Sequence, residues 1–206
     1  MIGILDYGAG NIFSILNALR KNNIDSKIII KEADFKFCRK LIIPGVGAFS
    51  NAIEKLEKRN FINLIKEHHL KGYQILGICL GMQLLFSEGK ENGIYKKGLN
   101  FINGSVEKLK PNKFDNTRFR LPHIGWSKIL INQKFKHLFH DEDSYFYFVH
   151  SYACISEDHK SEIIAKCKYG DDEFNCFVKK DNVYGIQFHP ERSRSSGLNL
   201  LKKILE

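Results

Sequence analysis

Through the N-terminal half of the chain, short apolar runs alternate with stretches whose hydrophobic positions recur every three or four residues. Residues 2–5, 27–30, 41–43 and 73–78 are continuous apolar runs bounded by turn residues, the pattern of buried strands. Between the first two, Ile12, Ile15, Leu16 and Leu19 follow the i, i+3, i+4, i+7 spacing of an amphipathic helix. A second helix is expected over 51–68, with Ile53, Leu56, Phe61, Leu64 and Ile65 turned inward. Strand–helix alternation of this kind requires right-handed crossovers, hence an open, mostly parallel sheet with helices on both faces. Downstream the rhythm changes. Runs 145–149, 163–168, 174–178 and 183–188 are separated by short polar turns and predict a more antiparallel C-terminal part. A last helix is expected over 198–205, and the fold class is α/β.

With 206 residues the chain fits one domain, 1–206. Its formal charge of +9 raises the question of nucleic acid, but the lysines are scattered among Asn and Ile rather than clustered. A solvated basic surface is the expectation, with no nucleic-acid partner. The longest uncharged run, 72–87, falls short of the ~20 residues that span a bilayer, and it contains three glycines and two glutamines. No basic leader precedes the first strand, so a cytoplasmic protein without a membrane partner is expected. The five cysteines, 38, 79, 154, 167 and 176, form no CxxC pair. Free thiols in a reducing compartment fit this spacing, and no metal site is expected.

Three local patterns carry chemistry. Gly77-Ile78-Cys79-Leu80-Gly81 follows a strand and precedes a helical pattern over 80–86, the form of a nucleophile elbow. Small flanking residues give such a turn clearance, and the N–H groups that open the helix favour a thiolate. A buried structural cysteine fits the same five residues. His189 ends an apolar run and precedes Pro190, which forces it into an extended backbone, and Glu191 is in reach to orient its ring. Strand ends of open α/β sheets are where ligand sites lie. By contrast, His68, His69, His137, His140 and His159 fall in polar segments and read as exposed. Pro44-Gly45-Val46-Gly47, directly after a strand, fits either a tight turn or a loop that offers N–H groups to an oxyanion.

In chain order, PGVG (44–47), GICLGMQ (77–83) and GIQFHPERS (185–193) resemble the oxyanion, nucleophile and His–Glu motifs of the triad-type, class I glutamine amidotransferases. Within that family, DYGAGN (6–11), LPHIGW (121–126) and YFVHSY (147–152) are similar to the glutaminase subunits of imidazole glycerol phosphate synthase. The resemblance implies a flavodoxin-like fold and hydrolysis of L-glutamine to glutamate and ammonia through a cysteine thioester, without cofactor or metal. It also implies a heterodimer with a synthase (cyclase) subunit of the HisF type, making imidazole glycerol phosphate and AICAR in histidine biosynthesis. Relatives that supply ammonia for amidating surface-polysaccharide sugars share the hydrolytic motifs, and this acceptor stays open.

Carried over by position, the resemblance implies catalysis by Cys79, His189 and Glu191 and an oxyanion hole from Val46, Gly47 and Leu80. Glutamine would be held by Gly45, Gln83, Glu91, Ser151 and Tyr152, and the partner would be met by Asn11, Trp126, Tyr147 and Lys180. The family motif continues HxGWN, whereas Ser127 follows Trp126 here; residues 100–104 and the polar surface loop 110–120 also depart.

Overall fold

All four N-terminal apolar runs are strands: β1 (Ile2–Leu5), β2 (Ser26–Ile29), β3 (Lys40–Ile43) and β4 (Gln74–Ile78). The computed structural model describes residues 1–91, 93–112, 119–140, 144–156 and 161–206. The second half contributes β5 (Phe86–Glu91), β6 (Ile94–Lys97), β7 (Ile102–Lys108), β8 (His123–Ile131) and β9 (Tyr145–His150). It continues with β10 (Tyr152–Ser156), β11 (Glu162–Tyr169), β12 (Asp172–Lys180) and β13 (Val183–Ile186). All join one sheet, whose main path is β2-β1-β3-β4-β13-β12-β10-β7-β5-β6. From β2 to β13 every pairing is parallel; β12 then runs antiparallel to β13 and opens the expected antiparallel part.

Helices cover both faces of the parallel strands, because each strand is apolar on both sides. Ile42 of β3 packs with Ile4, Leu76 and Ile186 beneath α1 (Ile12–Lys21) and α5 (Arg194–Leu205). Its neighbours Leu41 and Ile43 turn the other way, joining Ile75 and Val183 against α2 (Phe49–Lys58) and α3 (Phe61–Leu70). Burying each such aliphatic side chain is worth about 1.5–3 kcal/mol. The predicted α1 stripe is buried as expected.

Two helices differ from expectation. The single helix expected over 51–68 is broken at Asn60, which sits in the left-handed region at φ 55°, ψ 23°. An unbroken helix would bring Asn60 inward one turn after Leu56 and swing Phe61 off the core face. The break returns Phe61 and Ile65 to burial. The helix expected over 80–86 stops early as α4 (Leu80–Leu84), since backbone N–H groups of Leu99, Phe101 and Asn100 take the carbonyls of Leu84, Leu85 and Phe86. Phe86 then starts β5.

The sequence reading also missed β5, β6, β7, β8 and β10. Strands such as β7 expose every second residue, so their apolar runs are too short to stand out. No helix is long and apolar enough to cross a membrane among the described residues.

The break at Asn60 is testable by urea unfolding. Asn60→Gly should leave stability within ~0.5 kcal/mol, whereas Asn60→Val, a β-branched residue at positive φ, should cost about 1–2 kcal/mol. Equal stability of the two variants would mean that the left-handed break is not required.

Candidate active site

Cys79 stands at the carboxyl end of β4 with φ 55° and ψ −112°. A side-chain-bearing residue held there costs on the order of 1–3 kcal/mol, so its surroundings must fix it. The Cys79 N–H donates to the Ile186 carbonyl at 2.7 Å, tying the turn to the end of β13. Behind it, a Cβ on Gly81 would fall on the carbonyl oxygen of Ile43, so the opening turn of α4 lies against the end of β3 with backbone-only clearance. Leu80 is the first helical residue, whose N–H has no intrahelical acceptor.

The 44–47 loop closes over this turn. A Cβ on Gly45 would lie 2.8 Å from both the Leu80 Cβ and the Tyr7 hydroxyl oxygen. Tyr7 donates to the Pro44 carbonyl at 2.7 Å; burial, with the nearby Cys79 adding to it, pushes its phenol well above the usual range.

His189 leaves β13 in the extended conformation that Pro190 demands, φ −99° and ψ 94°. Its N–H donates to the Tyr147 carbonyl at 2.8 Å, and Ser193 Oγ donates to its carbonyl at 2.7 Å. Its Nδ1 bonds Glu191 Oε1 at 2.7 Å, and both side chains are buried. A carboxylate acceptor there keeps the proton on Nδ1, while Nε2 is buried without a hydrogen-bond partner. Burial alone would lower the imidazole's pKa, yet interaction with Cys79 and then with Glu191 outweighs it and raises the value to about 10.

The sulfur faces a cavity of about 270 Å³ lined by Val46, Gly47, Cys79, Leu80, Gln83, Glu91, Pro122, Val149, His150, Ser151 and Tyr152. Every residue expected at the oxyanion or substrate positions is therefore on its wall or, for Gly45, packed behind it. Glu91 is oriented by the Phe49 N–H at 2.7 Å. Gln83 donates from Nε2 to the Tyr152 carbonyl at 2.9 Å and to Gln187 Oε1 at 3.2 Å.

Two features were not read from the sequence. Gln187, wholly buried, donates from Nε2 to the Cys79 sulfur at 3.7 Å. The signal was present, an amide inside an apolar run. The second is a buried chain of imidazoles. Ser127 Oγ meets His123 Nε2 at 2.8 Å, His123 Nδ1 meets His150 Nε2 at 3.1 Å, and His150 Nδ1 meets the Tyr152 carbonyl at 2.9 Å. The carbonyl can only accept, so His150 donates from Nδ1 and accepts at Nε2. His123 then donates from Nδ1 and accepts from the Ser127 hydroxyl. Ser127, where the family motif has Asn, thus supplies the terminal donor. Burial lowers the pKa of His123 to about 4 and, with His123 beside it, that of His150 to about 3.

At the outer rim, Trp126 and Tyr147 stand edge to face at 6.2 Å, with Arg194 over the first ring and Arg192 over the second. Asn11 caps α1 by accepting the Ser14 N–H, and the adjoining Gly10 packs on Pro44. Lys180 is not brought to this group. Because β12 is antiparallel to β13, its last residue lies at the amino ends of the parallel strands, beside His69 and Phe101. His68 also departs from expectation: it is buried among Phe35 and Tyr73, and burial lowers its pKa to about 4. His159 and residues 113–118 of the 110–120 loop lie outside the described residues. Among the described residues no three His, Cys, Asp or Glu side chains are grouped to hold a metal ion.

Residues 3–205 match the family model for glutamine amidotransferase class-I. The chain belongs to that family. It is 43% identical over 204 residues, 98% of this chain and 96% of the other, to the imidazole glycerol phosphate synthase subunit HisH of Sulfurimonas denitrificans. It is 39% identical to the subunit of that name from Chlorobaculum tepidum, with 100% of each chain covered. Solved structures share the fold: a glutamine amidotransferase crystal structure at TM-score 0.72 and 19% identity covers 99% of this chain and 96% of its own. The PurLQS structure from Thermotoga maritima superposes at 0.74 with 18% identity and the same coverages, 99% and 96%. As an amidotransferase of this class, the chain is an enzyme.

The imidazoles set opposite pH limbs of stability. His123 and His150 are depressed, so the unfolded chain takes up their protons below ~6.5 while the fold does not, and stability falls as pH drops from ~6.5 towards 4. His189 is raised; its contribution is complete below ~6.5 and is lost as pH rises through about 10. Urea unfolding across pH should show His123→Gln with a flatter acid limb and His189→Asn with a flatter alkaline limb. Unchanged limbs in both variants would contradict this account.

Proposed function

We propose that this chain, as one glutamine amidotransferase domain over 1–206, is the glutaminase subunit of an imidazole glycerol phosphate synthase. The observation that carries the chemistry is the Cys79 sulfur on the wall of one small cavity, with the buried, Glu191-held imidazole of His189 near enough to interact with it. Its volume, about 270 Å³, is just below the ~300–1,000 Å³ of pockets for drug-sized ligands and suits a single amino acid. The names of the relatives support the pathway.

In this reading the Cys79 thiolate attacks the γ-carboxamide carbon of glutamine. The oxyanion forms within reach of the Leu80 N–H and the Val46–Gly47 backbone, where one donor is worth about 10²–10³ in rate. His189, protonated, gives its proton to the departing nitrogen; the C–N bond breaks and ammonia leaves a γ-glutamyl thioester. Water then attacks with His189 as base, the C–S bond breaks, and glutamate and the thiolate are released. Glu191 orients the ring and balances its charge. Gly45, Gln83, Glu91, Ser151 and Tyr152 shape the glutamine site.

Ammonia passes to a cyclase subunit of the HisF type, in a heterodimer that forms imidazole glycerol phosphate and AICAR. The partner face is the Trp126–Tyr147 rim with Arg192, Arg194 and Asn11. An exposed Trp126 beside the half-buried Tyr147, both flanked by arginines, has the composition of interface anchors. Lys180 has no part in it.

Cys79→Ser should lower glutamine hydrolysis by at least ~10³-fold while leaving glutamine binding near wild type, since His189 already holds its proton and an alcohol, far less acidic than a thiol, needs a base to attack. A glutaminase assay that retained most activity would reject the nucleophile. Trp126→Ala should weaken binding to the cyclase by about 2 kcal/mol, roughly 30-fold, without altering basal glutaminase activity. Unchanged affinity by calorimetry would place the interface elsewhere.

A further inference from the structure

Gln187 is an amide at the apolar end of β13, with no exposed surface. Buried amides are kept only when hydrogen-bonded, and this one is bonded at both ends. The direction of each bond is fixed by the chain of partners. The Tyr152 carbonyl can only accept, so Gln83 must present Nε2 to it. The same Nε2 then faces Gln187, which must answer with Oε1. That leaves Nε2 of Gln187 directed at the Cys79 sulfur, 3.7 Å away. On another side of the sulfur stands the Val149 carbonyl oxygen at 3.9 Å, an acceptor that favours the protonated thiol. Gln187 is the opposing contact, a donor that favours the thiolate.

We propose that Gln187 is a further catalytic residue, whose amide N–H holds the Cys79 sulfur as thiolate both before attack and as it leaves the thioester. The inference rests on the glutaminase reading above. In the first step the sulfur lone pair forms the C–S bond, and the amide bond to sulfur weakens as its charge passes to the oxyanion. In the second, water adds with its proton going to His189, the C–S electron pair returns to sulfur, and the Gln187 N–H is in place to receive the charge. An amide suits this position because it donates a hydrogen bond without surrendering the proton. His189 therefore stays free to carry protons to ammonia and from water. The anchor at Tyr152 ties the donor to the wall of the substrate cavity, so the sulfur and the glutamine site are positioned by one network.

The test is the pH dependence of iodoacetamide alkylation of Cys79 in the full chain, with Cys79→Ala as blank for the other four cysteines, all buried. Gln187→Met, close in shape but lacking the donor, should move the alkylation midpoint up by about one pH unit. That is roughly tenfold less thiolate at a fixed pH below both midpoints. Glutamine turnover with the cyclase present should fall about 10–100-fold with KM little changed, because the donor touches sulfur and not substrate. If Gln187→Met does not fold, Gln187→Asn withdraws the donor by one methylene and is read the same way. An unmoved midpoint in a folded variant overturns the role of Gln187 and leaves the glutaminase reading standing. Full glutaminase activity in Cys79→Ala overturns that reading, whatever the midpoint does.

Discussion

At φ 55° and ψ −112°, the backbone of Cys79 is in a conformation that side-chain-bearing residues avoid, and the surrounding chain is arranged so that it has no alternative. The Ile186 carbonyl holds its N–H, and α4 starts so close to the end of β3 that residue 81 has no room for a Cβ. The 44–47 loop rests on Leu80 and is pinned through Pro44 by Tyr7. These contacts come from the ends of neighbouring parallel strands, so the strain at Cys79 is carried by the order β3-β4-β13 itself. A residue lifted out of the sheet in this way presents its sulfur to the cavity while its backbone stays in the core.

From that fixed sulfur the polar arrangement follows. His189 is placed by β13 and by the Tyr147 carbonyl, and its ring is set by Glu191. Burial would drive the proton off the imidazole; interaction with Cys79 and with Glu191 holds it on. The neutral pair His123–His150, of which His150 lines the cavity, is subject to the same burial as His189 but lacks its negative partner. Among the described residues the interior therefore keeps His189 charged and His68, His123 and His150 neutral, and the difference lies in whether a negative group is adjacent. The two sets of groups meet at the Tyr152 carbonyl, which accepts from both His150 and Gln83.

Much of this was legible in the sequence where the signal was local. Apolar runs bounded by turns marked β1 to β4, and the i, i+3, i+4 stripe marked α1. Gly77–Gly81 and His189–Glu191 were legible because a strained turn and an oriented imidazole need particular residues at fixed offsets. What failed depended on contacts distant in sequence. The break at Asn60 follows from phase against the core, and the early end of α4 follows from carbonyls claimed by residues 99–101. Lys180 was assigned to the partner face by resemblance, but the direction of β12 carries it to the opposite end of the sheet. Arg192 and Arg194 stand over the rim aromatics instead. His123 and His150 were passed over because each looks ordinary until β8 and β9 pair and set them opposite one another.

The account turns on a covalent bond between glutamine and one sulfur. Rapid acid quench of the enzyme turning over glutamine with the proposed cyclase, followed by peptide mass spectrometry, reads that bond directly. A γ-glutamyl adduct confined to the peptide containing Cys79, absent without glutamine and cleared by hydroxylamine, is the predicted result. An adduct on a different cysteine would contradict the account. So would turnover with no adduct at Cys79 when deacylation has been slowed to rate-limiting.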